Sequence, residues 1–466
     1  MTKSNKFSNN RRQFVGDCGK MAAMAALPSL MTLKTLNAAV ANRSSIEGYK
    51  ALVCVFLSGG NDSFNMIAPY SVNSHRKYME ARPVAGIPQS ELTPVPTNSS
   101  VNMPHLGFHP SMSAMGSLYR RGDAAIVANI GTLVRPTSID DYRSRKQLPA
   151  GLFSHREQQL SWQTSVADNT SANGWLGRMS ELMNDVDTAG TDTSLTFGLG
   201  GGSPRILKGR KSTGFSISSD SGANTLSLYN DSNMRDAYNA TLNDRYVNLL
   251  KQQYAYDFKD IIDKAEFYNT VISASNNPFG EDAFPNTVLG RQLRQVALTI
   301  AARDGLGAKR QSFIVSQGGY DFHSNLNERQ APLLTELSDA LIAFNSAMKA
   351  IGMHDNVVSY TASDFGRTVL GNGTGSDHGW GGNGIVMGGP VLGDKTYGRY
   401  PFDMTNGGSP DIDIGRGRYI PTTSVDQLHA DLAYWYGVGT SDIGLIVPNY
   451  REYRDDLLVG LFDHQN

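Results

Sequence analysis

The sequence predicts an α/β fold with a mainly parallel central sheet flanked by helices. Continuous apolar runs such as 51–57 end in glycine-rich loops, which is typical of parallel strands buried on both faces. Amphipathic helical patterns alternate with these runs at the spacing of β-α-β units. The chain has 466 residues, 40% hydrophobic and 18% charged, which is enough for one large domain or two ordinary ones.

The predicted elements follow one another in a regular order. Strands are expected at 51–57, 124–130, 312–316, 356–361 and 385–387. Helices are expected at 112–119, 287–303 and 328–351. Residues 185–235 are instead rich in Gly, Ser, Thr, Asp and Asn, and 236–274 has the pattern of one or two long helices. We interpret about 185–285 as a helical insertion that caps the sheet edge, covers the active site or mediates assembly.

The first 41 residues differ in composition from the rest of the chain. A polar start leads to Arg11-Arg12-Gln13-Phe14, then to a mildly apolar stretch over 21–33 and to Ala39-Val40-Ala41. This order predicts a twin-arginine-type signal peptide cleaved after Ala41, leaving 42–466 as the mature domain. An amphipathic helix or a membrane anchor is the alternative, but the apolar stretch is too short to cross roughly 30 Å of hydrocarbon.

The leader predicts a periplasmic or secreted protein that uses the twin-arginine export machinery and has no stable membrane span. The leader carries six Lys or Arg residues and one Asp, so residues 42–466 carry 36 basic and 42 acidic residues, a net charge of −6. Such a balance argues against nucleic acid as a partner. Cys54 is the only cysteine after the leader, so the mature chain forms no internal disulfide, and we expect Cys54 to be a buried apolar residue.

Acidic and histidine residues cluster where strands are predicted to end. Asp321 and His323 are two residues apart, so in an extended segment both side chains point the same way and can chelate one ion. A carboxylate and an imidazole suit zinc, manganese or iron, whereas oxygen-rich sites favour calcium or magnesium. The alternative is an Asp that caps the next helix beside a surface His.

Three further segments add to this set of candidate metal ligands. Asp364 follows the strand at 356–361, Asp377 and His378 lie in a glycine-rich loop, and Asp62 follows the first strand. Arg367 could pair with Asp364 or hold an oxyanion of the substrate. An Asx-turn at Asp364 and a solvated loop His378 are the alternatives without function.

Motifs along nearly the whole mature chain closely resemble the bacterial family called domain of unknown function 1501. They are Gly59–Asn65, Phe153–Gln159 with Trp162, Gly174–Arg178, Gly319–His323, Ser363–Thr368, Thr374–Gly379, Ser424–Gln427 and Trp435–Val438. That family is similar in fold to the alkaline phosphatase and sulfatase superfamily, whose Asp and His residues hold one or two metals beside a nucleophile. The resemblance therefore implies an alkaline-phosphatase-like fold.

The resemblance also implies roles for individual residues. Asp62, Asp321, His323, Asp364 and His378 would correspond to the superfamily's metal ligands. Two departures stand out: Asp321 and His323 are more closely spaced than the usual pair, and Phe365 follows Asp364 where a second ligand histidine is usual. One metal or an altered second site is then as well supported as a full pair.

The nucleophile is the remaining question. Ser154 precedes the predicted helix that contains Gln158, where its hydroxyl could attack an anionic substrate at the helix N-terminus or simply cap the helix. His155 could be a ligand or a proton donor, and Ser63 is a lesser candidate for the nucleophile.

We expect an exported hydrolase of phosphate or sulfate esters, acting on a small anionic ester or a sulfated or phosphorylated polymer. Its cofactor would be a divalent metal such as zinc, manganese, calcium or magnesium. The alternative is a noncatalytic binding or assembly protein on a degenerate hydrolase fold.

Overall fold

The computed structural model describes residues 48–97, 103–186, 194–200, 204–210, 214–219, 222–223, 232–453 and 459–463. The predicted signal peptide at 1–41 and parts of the predicted insertion lie outside these residues. Among the described residues, no helix combines the length and the apolar composition that crossing a bilayer requires.

The described residues form alternating strands and helices. The strands are β1 (Lys50–Leu57), β2 (Ile67–Pro69), β3 (Thr93–Val95), β4 (Leu106–Phe108), β5 (Ala124–Gly131), β6 (Ser194–Gly198), β7 (Phe215–Ser218), β8 (Gly222–Ala223), β9 (Arg310–Gln317), β10 (Val357–Ser363), β11 (Gly382–Met387), β12 (Thr396–Gly398) and β13 (Thr423–Ser424). The α-helices are α1 (Ser63–Met66), α2 (Val72–Ala81), α3 (Ser113–Arg120), α4 (Ile139–Arg143), α5 (His155–Thr164), α6 (Trp175–Val186), α7 (Ser232–Leu242), α8 (Leu249–Ala274), α9 (Val288–Ala301), α10 (Leu326–Ala350), α11 (Val425–Tyr436) and α12 (Ile443–Ile446). Short 3-10 helices lie at Pro110–Met112, Arg205–Leu207, Glu281–Ala283, His354–Asn356 and Pro448–Glu452.

The central sheet has the strand order β12-β5-β11-β10-β1-β9-β6-β7-β8, and β13 pairs with β5. The pairs that β1 makes with β9 and β10 are parallel, as is the pair of β6 with β9. Strand β11 runs antiparallel to both β10 and β5. The predicted α/β fold with a mainly parallel sheet and flanking helices is therefore confirmed, with antiparallel strands added to it.

Burial explains why the apolar runs form strands. Every residue of β1 after Lys50 is buried, as expected for a central strand covered on both faces. Cys54 is 1% exposed, and burial raises the pKa of its thiol to about 12, so it remains a neutral apolar group. A separate small sheet has the order β2-β4-β3.

The register of the three central strands decides where the functional side chains lie. Leu57, the last residue of β1, pairs with Ser363 at the end of β10 and with Gln317 at the end of β9. The loops that follow these strands therefore leave the sheet at one edge, the usual location of a site in a parallel sheet.

The segment predicted as a helical insertion contributes strands as well as helices. β6 pairs with β9 in parallel, so the sheet continues past β9 into this segment. The helices α7 and α8 account for the predicted helical pattern over 236–274. The described part of the segment thus extends one side of the sheet.

Candidate metal centre

Three side chains from separate loops meet at the carboxyl edge of the sheet. His155 begins α5, Asp321 lies between β9 and α10, and His378 lies between β10 and β11. One ligand atom of each lies within 4.8 Å of those of the other two. Two of the three, Asp321 and His378, belong to the predicted set of metal ligands, and His155 was the residue with two possible roles.

The loop after β9 presents Asp321 and His323 on the same side. Phe322 between them is 2% exposed, so the chain alternates buried and accessible side chains here. Nε2 of His323 lies 3.0 Å from Oδ1 of Asp321. Gly59 allows the loop after β1 to approach the backbone at Asp321 closely, because a Cβ atom on Gly59 would lie 2.7 Å from the backbone nitrogen of Asp321.

His155 is held between two carboxylates. Its Nδ1 lies 2.6 Å from Oδ2 of Asp364, and its Nε2 lies 3.5 Å from Oδ2 of Asp321. The hydrogen bond that His155 donates to Asp364 raises the pKa of His155 above its ordinary value, although partial burial opposes this. Nε2 is buried and has no hydrogen-bond partner among the described residues. This nitrogen lies beside the Asp321 carboxylate and carries a proton when the ring is charged and a lone pair when the ring is neutral.

Asp364 lies behind His155 and is fully buried. Its carboxylate accepts hydrogen bonds from the Gly59 amide at 3.2 Å and from Nε2 of Gln159 at 3.1 Å, besides its contact with His155. The sequence suggested Asp364 as a metal ligand, but the structure makes it the partner of a histidine. Gln159 was not singled out, although its position four residues after His155 puts both on one face of α5.

His378 has a defined tautomer. Its Nδ1 lies 2.8 Å from the carbonyl oxygen of Phe153, and because a carbonyl only accepts, Nδ1 carries the proton. Nε2 of the neutral ring then has a lone pair, and it lies 3.5 Å from Oδ1 of Asp321. Partial burial is the largest influence on the pKa of His378 and lowers it, which favours the neutral ring.

Asp377 and His323 form a second pair beside the first group. Nδ1 of His323 lies 3.0 Å from Oδ1 of Asp377, and Nε2 lies 3.3 Å from Nε2 of His378. Burial acts to raise the pKa of Asp377, but hydrogen bonds from His323, Arg416 and Asn372 outweigh it and lower that pKa to about 2. Asp377 is therefore a permanent anion that orients the His323 ring.

Arg367 is buried and its donors are used within the protein. Nη1 lies 2.7 Å from Oδ1 of Asp321, and the other guanidinium nitrogens contact the hydroxyl and carbonyl of Ser376. Burial raises the pKa of Asp321, but the hydrogen bond and charge of Arg367 outweigh it and lower the pKa. Arg367 thus keeps Asp321 ionised and does not project into open space as a substrate ligand would.

Asp62 does not join the histidine cluster. Its Oδ1 lies 2.8 Å from Nη1 of Arg82 and also caps α1 by accepting from the Asn65 amide. Its Oδ2 accepts from the Ser376 hydroxyl at 2.7 Å, and both Asp62 and Arg82 are buried. The predicted ligand is therefore a partner of a buried guanidinium that is linked to Arg367 through Ser376.

Ser154 occupies the N-cap position of α5, yet its hydroxyl does not cap a backbone amide. Instead the hydroxyl donates to the carboxylate of Glu157 in the first turn of the helix. Within the described part of the chain, no hydrogen bond joins it to an Asp or His of the cluster. Ser63, the lesser candidate, is buried and accepts from the Asn383 amide.

Phe365 packs against the histidines. Its ring centroid lies 4.8 Å from that of His155 and 4.7 Å from that of His378. Phe365 occupies the position where the resemblance would place a second ligand histidine. Its apolar ring instead packs against two imidazole rings and restricts their orientation.

An open pocket of 270 Å³ adjoins the cluster. Its lining combines the predicted residues His323, Asp377 and His378 with Phe153 and with two arginines that the sequence did not reveal, Arg416 and Arg418. The only sequence signal for the two arginines is the alternation Gly415-Arg416-Gly417-Arg418.

The sequence matches the family described as "Protein of unknown function (DUF1501)" over residues 49–442. No curated protein matches it. Among solved structures, Ps i-CgsB in complex with k-i-k-neocarrahexaose is 8% identical, with 86% of this chain and 74% of that chain covered and a TM-score of 0.37. The C-terminal periplasmic domain of EcEptC from Escherichia coli is 9% identical, with 87% and 89% covered and a TM-score of 0.32. The PsFucS1 sulfatase from Pseudoalteromonas sp. is 11% identical, with 79% and 66% covered and a TM-score of 0.31.

Proposed function

This chain belongs to the DUF1501 family, and we propose that it is an exported metal-dependent hydrolase of phosphate or sulfate esters. One observation carries the proposal. Nε2 of His155 and Nε2 of His378 each lie 3.5 Å from the Asp321 carboxylate. One donor atom of each of the three residues lies within 4.8 Å of those of the other two, and their electron pairs would stabilise a cation held among them.

The chemistry of the donors suits a divalent transition metal. Two imidazole nitrogens and one carboxylate, with further positions open, are typical of catalytic zinc sites and are acceptable to manganese or iron. The buried, partnerless Nε2 atom of half-buried His155 fits a ligand, and Asp364 behind it fits the carboxylate that orients a ligating imidazole. A cation held there would act as a Lewis acid on an ester oxygen. Arg367 already occupies Oδ1 of Asp321, which supports one metal rather than two.

His323 is placed to move a proton. Asp377 holds its Nδ1, so Nε2 is directed toward Asp321 and His378. The His323 side chain is 47% exposed, so the ring can exchange protons with solvent. We assign His323 as the general base and then the general acid, and Asp377 as the residue that positions it.

The proposed reaction is hydrolysis by water. His323 accepts a proton from the attacking water while the oxygen of this water forms a bond to phosphorus or sulfur. The bond from phosphorus or sulfur to the alcohol oxygen breaks, and the proton passes from His323 to that oxygen. The products are an alcohol and inorganic phosphate or sulfate. Water is better supported as the nucleophile than Ser154, because the Ser154 hydroxyl donates a hydrogen bond to Glu157.

The proposal is tested with the mature chain and simple chromogenic esters. The chain should hydrolyse 4-nitrophenyl phosphate or 4-nitrophenyl sulfate when supplied with zinc or manganese, and chelation should abolish the activity. His323→Ala should retain metal and lose turnover, whereas the exposed His105→Ala serves as the matched control. Turnover that survives both chelation and His323→Ala would overturn the proposal.

Export is part of the same proposal and is tested separately. It is supported by the order of the arginine pair, the apolar stretch and Ala39-Val40-Ala41 in the sequence. Replacing Arg11 and Arg12 by Lys should leave the chain in the cytoplasm. Fractionation that finds the variant outside the cytoplasm in normal amount would contradict the export mechanism.

A noncatalytic binding protein is the second candidate, and two observations favour it. The Ser154 hydroxyl donates a hydrogen bond to Glu157. Arg367 forms an ion pair with Asp321, so it already supplies this carboxylate with the positive charge that a metal would provide. In this case the charge of Arg367 neutralises Asp321 without metal. A purified chain that binds no divalent cation and hydrolyses no ester would support it.

A further inference from the structure

The segment from Asp413 to Tyr419 is a tight, internally bonded loop. Oδ1 of Asp413 accepts from the amides of Gly415 at 2.8 Å and Gly417 at 3.1 Å. Arg416 between them has a φ of 64°, in the left-handed region that is uncommon for a residue other than glycine. The carboxylate of Asp413 therefore stabilises a turn that projects Arg416.

The same loop is attached to the backbone that follows the candidate metal centre. The Val369 amide donates to the carbonyl of Gly417 at 3.0 Å, and the Leu370 amide donates to that of Arg416 at 3.2 Å. A Cβ atom on Gly417 would lie 2.7 Å from Cβ of Val369, so only glycine permits this approach. The two arginines are thus fixed relative to the segment that contains Asp364 and Arg367.

Arg416 and Arg418 both line the 270 Å³ pocket beside His323 and His378. Arg416 pairs with Asp377, with Nη2 2.7 Å from Oδ2. Arg418 lies over the Phe153 ring, with Cζ 5.2 Å from the ring centroid. No carboxylate in the described part of the chain lies within ion-pair distance of Arg418, and its buried Nε has no hydrogen-bond partner there.

The pocket therefore has a surplus of positive charge on a chain whose mature part is net negative. It contains two guanidinium groups and one carboxylate, and that carboxylate is shared with His323 and Asn372. A guanidinium recognises a tetrahedral oxyanion through paired N–H donors, and stacking on an aromatic ring pre-organises it. Arg418 lies over the aromatic ring of Phe153, and no carboxylate of the described residues lies within ion-pair distance of it.

We propose that this pocket is a subsite for a second sulfate or phosphate group, next to the ester that is hydrolysed. The substrate would then be a polyanion with at least two such groups, for example a sulfated or phosphorylated oligosaccharide. This inference rests on the proposed function for the adjacent cleavage. The subsite itself is an equilibrium binding site and can be tested without turnover.

The first experiment measures binding in the presence of a chelator. Short dextran sulfate oligomers, inorganic polyphosphate and neutral dextran are titrated calorimetrically into the full mature chain. We expect one of the two polyanions to bind and neutral dextran not to bind. Arg418→Gln should raise the Kd at least about tenfold, since a charge-assisted hydrogen bond is lost. The exposed, ion-paired Arg143 provides the matched control, Arg143→Gln, which should change the Kd by less than about twofold.

Comparing dextran sulfate with polyphosphate shows whether the subsite prefers sulfate or phosphate groups, and a preference for either one supports the subsite. Equal affinity of wild type and Arg418→Gln would overturn it, as would an equal loss in Arg143→Gln. Thermal unfolding checks that Arg418→Gln is folded, and Arg418→Lys should restore part of the affinity through its charge.

A second experiment uses turnover and separates the subsite from the proposed function. Arg418→Gln should raise the KM for a polyanionic ester about tenfold while leaving kcat and the KM for 4-nitrophenyl sulfate or phosphate within about twofold. An equal effect on the small ester would contradict the subsite. A chain that binds the polyanion through Arg418 and hydrolyses nothing would refute the proposed function and keep the subsite.

Discussion

Nδ1 of His155 lies 2.6 Å from Oδ2 of buried Asp364, and this contact directs the other ring nitrogen toward Asp321. A carboxylate that holds one nitrogen of a histidine while the other binds a metal is a common arrangement in metal sites. The relationship supports the proposal that Asp364 positions His155 and that His155 is a metal ligand.

Replacing Asp364 tests this division of roles. Asp364→Asn should weaken zinc or manganese binding by about 10- to 100-fold without removing the site, because the imidazole loses its orientation. Asp321→Ala should abolish measurable binding, since it removes a donor. Calorimetric metal titration of the two variants compares them directly. Asp364→Asn with unchanged affinity, or with no site at all, would contradict the assigned roles.

The two proposed histidine ligands should behave alike. His155→Ala and His378→Ala should each lose the bound metal, because each removes one of three protein donors. His323→Ala should retain it. Metal content after gel filtration checks all three, with His105→Ala as the matched control. Retention of metal by His378→Ala together with loss in His323→Ala would exchange the roles of the two residues.

Asp62 and Arg82 should contribute to stability. Both are buried, so Arg82→Met leaves an unpaired buried carboxylate and should lower the free energy of unfolding by about 3–5 kcal/mol. The double variant Asp62→Asn/Arg82→Met should lose less than Arg82→Met alone, since no charge is left without a partner. Denaturant unfolding gives these values. Both variants should bind metal with the affinity of the wild type, even though they are less stable. If a folded Asp62→Asn chain no longer bound metal, Asp62 would return to the set of proposed ligands.

Asp426 predicts a pH dependence away from the metal centre. Burial raises the pKa of its carboxyl to about 7, although hydrogen bonding from Ser165 and the charge of Arg178 oppose this. The unfolded carboxyl has a pKa near 3.9, so the folded state binds the proton more tightly and loses stability as the pH rises from about 4 to 7. Asp426→Asn removes this titration, so the wild type should lose up to ~4 kcal/mol relative to the variant over that range. Urea unfolding of both proteins at pH 4 and pH 8 measures the difference; a difference that stays constant between the two pH values would refute the raised pKa.

Much of the fold was predictable because burial leaves a local signal. The runs at 51–57, 124–130 and 356–361 are strands, and the first and the last pair in parallel, so their carboxyl ends lie at one edge of the sheet. Asp321 and His323 converge as predicted from the spacing of two residues.

Other parts of the site depend on contacts between distant segments. Asp62 lies 20 positions from Arg82 in the chain, and the sequence gives no sign that a buried guanidinium takes its carboxylate. Asp364 and His155 are 209 positions apart, so the choice between ligand and positioning residue is decided by the packing of α5 against the loop after β10. Arg418 becomes part of the site only because Gly417 allows its loop to approach Val369.

Anomalous diffraction from crystals of the mature chain grown with zinc or manganese tests the central claim most directly. We predict one peak about 2.0–2.2 Å from Nε2 of His155, from Nε2 of His378 and from a carboxylate oxygen of Asp321. No peak at these atoms, with Arg367 and the histidines still in contact with Asp321, would contradict a metal-dependent function.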